Sequence, residues 1–378
     1  MSKDDLFLFL IALTMKDLNA YVAKFYKAPE EVLDAHNLVY TTPEILTITR
    51  KKIKDTTVYL KGETPYKERQ TLDRIKKLVL PPAWSQVRIA ELENAHLQAT
   101  GRDAKKRKQY RYHEKWLKLR KQTKFYKMLA FAEKLPQIRK HSQEDLERKN
   151  WSKEKVLALV VRLLEESHIR VGNACYAKQN KTYGLSTLRN RHVSIVKDKI
   201  KFNFIGKRGK EHNITIKNKK LAKLVNQCEE IPGWELFQYF DENGEKQKID
   251  SGMVNAYIQN ISGAIFSAKD FRTWAASLIV FDFLKQLPTV HSQKKKEENW
   301  SQAVAAAAKE LNNTKNVCKN YYVHPLIKEV YLNDAILTYF KMVDAFQKPT
   351  DNGLQPNEKA LMALLEKYRP QELLDECR

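Results

Sequence analysis

The sequence predicts an α+β fold, with a small N-terminal β-sheet domain and a larger, mainly α-helical domain that contains a three-stranded β meander. Three observations predict it: short β-rich runs within residues 38–90, alternating apolar and polar residues within 192–216, and helical periodicity from Lys153 onward. With 378 residues, the chain is long for a single core. We therefore divide it into an N-terminal extension, a small domain, a large domain and a tail with a helix, at residues 1–37, 38–120, 121–346 and 347–378.

The small domain is predicted from its β-branched and aromatic runs. Residues 39–42, 46–50 and 57–60 are such runs, and each has the length of a strand. A helix is expected over 67–79, because Pro81 and Pro82 follow it and proline cannot continue a helix. A further strand is expected near 86–89.

Within the large domain, a helix that Ser152 caps is expected from Lys153 onward. The meander then has strands at 192–196, 199–205 and 211–216, so Lys207 lies on a hairpin turn. A polar, lysine-rich connector is predicted for 287–299, followed by an alanine-rich helix capped by Ser301. The tail helix is expected to be capped by Asn357.

The charge of the chain indicates its partner. The formal net charge is +23, and a dense basic stretch covers residues 102–127, with Tyr110, Tyr112 and Trp116 interleaved. Cations bind phosphates and aromatic rings pack on sugars and bases, so double-stranded DNA is the first candidate and an anionic membrane surface the second. A solvated surface is the plainer interpretation of such a stretch.

Membrane insertion and secretion are not expected. No apolar run reaches the length needed to span a bilayer. The hydrophobic run at residues 6–13 follows Asp4 and Asp5 rather than a positive start, so we interpret it as a docking helix or a variable extension. The four cysteines show neither zinc-ligand nor disulfide spacing, which is typical of reduced thiols in a cytoplasmic protein.

Tyr322 is the candidate nucleophile. A tyrosine has an unperturbed pKa of about 10, so ionising it at pH 7 costs about 4 kcal/mol. Such a nucleophile requires cations around it, and Arg170, Lys207 and Arg272 are the candidates. From the residues alone, Tyr321 competes with Tyr322, and Arg208 and Lys210 compete with Lys207.

Five blocks of sequence resemble the type IB DNA topoisomerases of poxviruses and bacteria. They follow the order of that family, and each is weak alone. The blocks are Leu80-Pro81-Pro82-Ala83-Trp84 with Thr100-Gly101-Arg102-Asp103, Arg170-Val171-Gly172-Asn173 with Tyr183-Gly184-Leu185-Ser186-Thr187-Leu188, Gly206-Lys207, Lys269-Asp270-Phe271-Arg272-Thr273-Trp274, and Asn313 with Tyr322-Val323-His324-Pro325.

The resemblance implies the catalytic fold of tyrosine recombinases and type IB topoisomerases, and an enzyme that relaxes supercoiled DNA through a 3′-phosphotyrosyl intermediate. It implies that Tyr322 attacks, that Arg170 and Arg272 hold the phosphate, and that Lys207 is the general acid. Asn313, where many relatives carry histidine, would donate a hydrogen bond to the phosphate.

The resemblance also implies DNA contacts in the small domain. The residues concerned are Arg102, Lys106, Arg107, Tyr110 and Tyr112. We expect a monomer that closes on the duplex as a clamp and associates with the nucleoid in the cytoplasm. No ATP-binding loop of the G-x-x-x-x-G-K-[ST] type and no carboxylate cluster for Mg²⁺ occurs in the sequence, so no cofactor is expected.

Two alternatives stay open on the sequence. A tyrosine site-specific recombinase uses similar residues but typically carries His-x-x-Arg, where this chain has Lys269 before Arg272. A non-catalytic basic DNA-binding protein would explain the charge equally well.

Overall fold

The computed structural model describes residues 15–53, 56–347 and 352–368. They belong to two compact units, one that ends at Tyr126 and one that covers Lys127–Tyr368. The hydrophobic run at 6–13, predicted to be a docking helix or extension, lies outside the described residues. Over the described ranges, no helix is both long and apolar enough to cross a membrane.

The first unit contains a six-stranded antiparallel sheet with the order β3-β2-β1-β4-β5-β6. Its strands are β1 (Ile48–Ile53), β2 (Thr56–Lys61), β3 (Thr64–Pro65), β4 (Ser85–Ile89), β5 (Leu97–Arg102) and β6 (Lys108–Tyr112). Its helices are α1 (Met15–Lys27), α2 (Pro29–Ala35) and α3 (Arg69–Lys77), and α4 (Glu114–Leu146) begins in this unit and continues into the second.

The predictions for this unit are confirmed for three strands and one helix, and wrong for residues 39–42. That segment makes a single bridge, from Val39 to Ala95, because Pro43 starts a 3₁₀ turn directly after it. Its polar groups bond to a loop instead: Thr41 N donates to Nδ1 of His96 over 2.9 Å. Strands β3, β5 and β6 were not predicted.

Two of the apolar clusters in the first unit involve its helices. Ile48, Val87 and Ile89 of the sheet pack with Ile75 of α3. Trp116 joins the second cluster and stacks on Phe25 at 4.9 Å between ring centroids. Trp116 is therefore a core residue, not one of the exposed aromatics that the basic stretch had indicated.

The second unit is mainly helical. A three-stranded sheet has the order β7-β8-β9 and confirms the predicted meander, and β10 pairs with β11. The strands are β7 (Val193–Val196), β8 (Lys199–Ile205), β9 (Glu211–Lys217), β10 (Gln238–Phe240) and β11 (Lys246–Lys248). The helices are α5 (Lys153–Ser167), α6 (Ala174–Asn180), α7 (Lys219–Glu229), α8 (Ser251–Ser262), α9 (Ala268–Gln286), α10 (Gln293–Glu310), α11 (Lys315–Tyr321), α12 (Pro325–Leu332), α13 (Ile336–Ala345) and α14 (Pro356–Leu365).

Helix caps were predicted with mixed success. Ser152 caps α5, because its side chain accepts a hydrogen bond from Lys155 N. The connector at 287–299 and the cap at Ser301 are wrong, since α10 already begins at Gln293. The polar residues that suggested a connector include Lys296, which is buried and donates to Asp334 Oδ2 over 2.7 Å and to the Leu332 carbonyl over 3.0 Å.

The cap predicted at Asn357 is also wrong. Pro356 occupies the first helical position of α14, so the cap is Gln355, two residues before the predicted position. Asn357 instead donates from Nδ2 to Asp282 Oδ2 on α9 over 2.7 Å.

A buried ion pair attaches α14 to the rest of the second unit. The Glu358 carboxylate is 3% exposed and accepts two hydrogen bonds from Arg139 of α4, at 2.8 and 2.9 Å. It also accepts one from Nε1 of Trp274 on α9, at 3.3 Å. A buried charge is tolerated only with such partners, so the pair specifies where α14 docks.

Removing this carboxylate will therefore destabilise the protein. Glu358→Ala leaves Arg139 buried with one carboxylate partner, Glu165, and should lower the free energy of unfolding by about 3 kcal/mol. Urea titration followed by circular dichroism measures the loss. Glu298→Ala is the matched control, because it breaks an exposed pair with Lys295 and should cost less than about 1 kcal/mol. Equal losses in the two variants would contradict the assignment.

Candidate active site

Arg170 is placed by the end of α5 and by a close contact between two glycines. His168 ends the helix in the left-handed conformation, with φ of 54°. The Arg170 carbonyl then accepts a hydrogen bond from Leu185 N over 2.9 Å. A Cβ on Gly184 would collide with the Arg170 carbonyl and with the backbone of Gly172, so these segments approach as closely as they do only because Gly184 has no side chain.

Arg272 lies on α9 and joins the ends of two other helices. It is 4% exposed, and it donates to the His168 carbonyl at the end of α5 and to the Leu311 carbonyl at the end of α10, the latter over 2.7 Å. Helix ends leave carbonyls without intrahelical partners, which a cation satisfies well. Burial and the charge of Arg170 lower the pKa of Arg272 to about 10, so it remains protonated at neutral pH.

Asn313 follows the end of α10 and contacts the first arginine. Its Oδ1 accepts a hydrogen bond from Arg170 Nη2 over 2.6 Å. This bond determines the orientation of the amide, since an amide oxygen accepts and an amide nitrogen donates. The Nδ2 donor is buried, with no hydrogen-bond partner among the described residues. One face of Asn313 thus orients Arg170, and the other is free to donate to a ligand.

Tyr322 lies at the C-terminal end of α11, next to both arginines. The Arg272 Cζ is 5.8 Å from the centroid of its ring. Burial raises the pKa of Tyr322, but the charges of Arg272, Arg170 and Lys269 outweigh burial and bring the pKa below its ordinary value. The cost of ionising this tyrosine is therefore smaller than for a tyrosine in water.

Ser277 of α9 holds the backbone beside the tyrosine. Its Oγ donates to the Tyr322 carbonyl over 3.4 Å and accepts from His324 N over 3.0 Å. Tyr321 is 62% exposed, and its neighbour Tyr322 is half-buried. The geometry thus places Tyr322, and not Tyr321, against the buried Arg272.

Lys207 lies on a turn and is not hydrogen-bonded to this cluster among the described residues. It begins the turn between β8 and β9, it is exposed, and its side chain forms no hydrogen bond or ion pair within the described part of the chain. Burial is the main cause of the lowered pKa values of Arg170 and His212, and two competitors of Lys207 add to it: the charge of Arg208 lowers the pKa of Arg170, and that of Lys210 lowers the pKa of His212. The structure therefore brings Arg170, Arg272, Asn313 and Tyr322 together and leaves Lys207 on a turn beside them.

Three residues near the cluster were not predicted as part of the site. They are Lys269, whose charge acts on Tyr322, Ser277, which holds the tyrosine backbone, and His212. His212 is buried under the turn, and a Cβ on Gly206 would collide with its ring. Helical spacing along α9 could have revealed Ser277, but nothing in the sequence marks His212.

The DNA-contact residues predicted in the first unit lie on β5, β6 and the loop between them. Arg107 is paired with Asp103 at 2.6 Å, and Arg102 donates to Gln86 Oε1 over 2.8 Å. Tyr110 is 45% exposed and stacks on Tyr112 at 6.0 Å between centroids. Lys106 is an exposed loop residue with φ of 58°. Their contact with DNA stays a prediction.

Comparison with known families decides the class of protein. The model of the eukaryotic DNA topoisomerase I catalytic core matches residues 106–334, and the model of the bacterial DNA topoisomerase IB N-terminal domain matches residues 59–103. The chain belongs to the type IB DNA topoisomerase family. The α+β fold and the enzyme class that the sequence predicted are thereby confirmed, and the recombinase alternative is not favoured.

Viral relatives agree with the family models. The chain is 35% identical over 270 residues to DNA topoisomerase 1B of Acanthamoeba polyphaga mimivirus, covering 70% of this chain and 80% of the relative. It is 24% identical over 245 residues to DNA topoisomerase 1 of Rabbit fibroma virus, covering 63% and 73%. It is 22% identical over 232 residues to DNA topoisomerase 1B of Vaccinia virus (strain Copenhagen), covering 61% and 71%.

The close contact of Gly184 with Arg170 can be tested in this topoisomerase. Gly184→Ala should shift the Arg170 backbone and slow formation of a covalent DNA adduct about 100-fold, since a displacement of about 1 Å has such an effect. Quenched-flow measurement of adduct formation gives the rate. Gly252→Ala is the control, because Gly252 lies in the first turn of α8, where an added methyl meets only its own cap residue. Equal rates in the two variants would show that the contact does not position Arg170.

Proposed function

We propose that this topoisomerase relaxes supercoiled DNA by cutting one strand through Tyr322 and resealing it, without ATP or a required metal. The observation that carries the proposal is the half-buried Tyr322 ring beside the buried Arg272. The charges of Arg272 and Arg170 lower the pKa of Tyr322. The Tyr322 oxygen would attack the phosphorus, the bond from phosphorus to the 5′-oxygen would break, and a 3′-phosphotyrosine with a free 5′-hydroxyl strand would result. Resealing reverses these steps, so the phosphoester bond energy is retained.

The phosphate would be held by groups that the fold has already oriented. Arg272 uses two nitrogens for the His168 and Leu311 carbonyls, while its buried Nε has no hydrogen-bond partner among the residues described. Asn313 likewise keeps Nδ2 unpaired, and its Oδ1 orients Arg170. Preoriented donors of this kind stabilise a pentacoordinate phosphorane without reorganisation during the reaction. These free donors support Arg170, Arg272 and Asn313 as the phosphate-binding residues.

Lys207 is proposed as the general acid that protonates the leaving 5′-oxygen. Its place on an exposed turn supports this role, because a long cation on a hairpin can reach the DNA once it is bound. Arg208 is a weaker candidate, since a guanidinium rarely gives up its proton.

DNA binding by both units is proposed from charge. The excess of cations, +23 in the full sequence, supports phosphate contacts that weaken with salt. Arg102, Lys106, Arg107, Tyr110 and Tyr112 are proposed contacts in the first unit. We also propose a monomer that closes around the duplex as a clamp, in the cytoplasm and associated with the nucleoid. Light scattering with and without a duplex measures the molar mass and so tests whether the protein is a monomer.

The nucleophile is tested by comparing the adjacent tyrosines. Tyr322→Phe should abolish plasmid relaxation and the denaturant-stable adduct, because the ring remains but the attacking oxygen is gone. Tyr321→Phe, the matched control, should relax plasmid within about 2-fold of the parent, since that side chain is mostly exposed. Peptide mapping of the adduct identifies the modified residue. An adduct on Tyr321, or none in the parent, would refute the proposal.

The general acid is tested with a leaving group that needs no proton. Lys207→Ala should slow cleavage of ordinary DNA by 10²-fold to 10⁴-fold, which is the usual contribution of a general acid. A substrate with sulfur in place of the bridging 5′-oxygen should restore its rate to near that of the parent, because a thiolate leaves without protonation. Arg208→Ala and Lys210→Ala are the comparisons on the same turn. Rescue of either of those instead of Lys207→Ala would reassign the acid.

A further inference from the structure

Trp234 is exposed to an unusual degree. The side chain is 76% exposed, in the loop between α7 and β10. Among the exposed large apolar side chains of the described residues, only Val79 has an equal exposed fraction. A tryptophan ring offers more area for binding than any other side chain, so its exposure on a surface loop indicates a contact surface.

The loop that carries Trp234 is held in place. The Trp234 carbonyl accepts a hydrogen bond from Asn190 N over 3.4 Å, and Leu236 N donates to the Leu188 carbonyl over 2.9 Å. Gly233 has φ of 151°, and a Cβ there would collide with the side chain of Gln238. A ring on a fixed loop loses little entropy when a partner binds, which favours a preformed contact over an incidental one.

One cation lies at the ring, and two others lie close to it in sequence or bond to the same loop. The Arg189 Cζ lies 6.0 Å from the Trp234 ring and 5.8 Å from the Tyr183 ring. Lys246 reaches the same loop and donates to the Pro232 carbonyl over 3.0 Å, and Arg191, two residues after Arg189, is exposed. We call Arg189, Arg191, Trp234 and Lys246 the Trp234 platform. Glu230 and Glu235 are the acidic residues of the loop at 230–237, against three cations of the platform, so the surface is net positive.

The platform is connected to segments of the candidate active site. Tyr183 N donates to the Ile205 carbonyl over 2.8 Å, at the end of the strand that leads into the Lys207 turn. Directly after Tyr183, the chain bonds to Arg170 and Val171 through Leu185 N and Ser186 N. One stretch of backbone, 183–190, therefore joins the platform to the segments that carry Arg170 and Lys207.

We infer that the Trp234 platform is a DNA contact separate from the phosphate site, in which the Trp234 ring packs on deoxyribose and base edges while the cations hold the flanking phosphates. The combination of one ring with three cations fits a polyanion that has apolar faces between its charges. An apolar protein surface would instead have to desolvate the three cations. The inference rests on the proposed function, because DNA is the occupant in both.

Equilibrium binding to a short duplex tests the platform in the full-length chain. All variants carry Tyr322→Phe, so that binding is measured without cleavage, and fluorescence anisotropy of labelled DNA gives Kd. Trp234→Ala should raise Kd about 10-fold, with the salt dependence of Kd unchanged, because no phosphate contact is lost. Trp234→Phe should recover most of the affinity. Arg189→Ala should reduce the slope of log K against log salt by about one. Val196→Ala, which removes an exposed apolar side chain elsewhere in the same unit, should leave Kd unchanged.

The outcomes separate this inference from the proposed function. Unchanged Kd for Trp234→Ala, while the Tyr322 protein relaxes plasmid, would overturn the platform and leave the function standing. If the protein that retains Tyr322 binds duplex DNA tightly but forms no adduct, the proposed function is refuted. In that case a 10-fold higher Kd for Trp234→Ala would still support the platform. An equal loss in Trp234→Ala and Val196→Ala would overturn the platform, as would failure of the protein to bind duplex DNA. Thermal unfolding of each variant shows whether lost affinity reflects lost fold.

Discussion

The candidate active site depends on one buried cation. Arg272 satisfies the terminal carbonyls of α5 and α10, and the residues that follow those ends are Arg170 and Asn313. Its charge also lowers the pKa of Tyr322. Ser277, on the same helix as Arg272, holds the backbone of Tyr322 through a hydrogen bond. Without that guanidinium, two helix ends would leave buried carbonyls without a charged partner. The same side chain is thus a structural element and a candidate phosphate ligand.

Burial and charge compete within this cluster, and the competition determines the chemistry available to it. Burial alone would raise the pKa of Tyr322, while the arginines lower it below the ordinary value. The same cations, together with burial, hold the pKa of His212 at about 4, so that histidine is neutral at pH 7. Placing several cations close together is unfavourable by itself. A bound phosphate would relieve their repulsion, which favours an anionic ligand at this position.

The C-terminal helix shows a second use of a buried charge. Glu358 contacts Arg139 of α4 and Trp274 of α9, two residues after Arg272. The family model of the catalytic core ends at residue 334, before α14 begins. A helix outside the matched core therefore packs directly on the helix that carries Arg272. Buried ion pairs add little net stability, but they select one geometry over others, and that is the role we assign to Glu358.

The sequence by itself determined the α+β class, the meander, three of the six strands of the first unit, the family, and the four residues that the fold brings together. Those features follow from periodicity and from motifs, which are local. It failed at residues 39–42 and at the Asn357 cap, where Pro43 and Pro356 start the next element. It also failed at the start of α10, where the buried polar partners of Lys296 override local preference. Only the tertiary structure placed Tyr322, and not Tyr321, against the buried Arg272, revealed Ser277 and His212, and showed Lys207 exposed on a turn. These depend on contacts between residues distant in the chain, which composition and spacing do not encode.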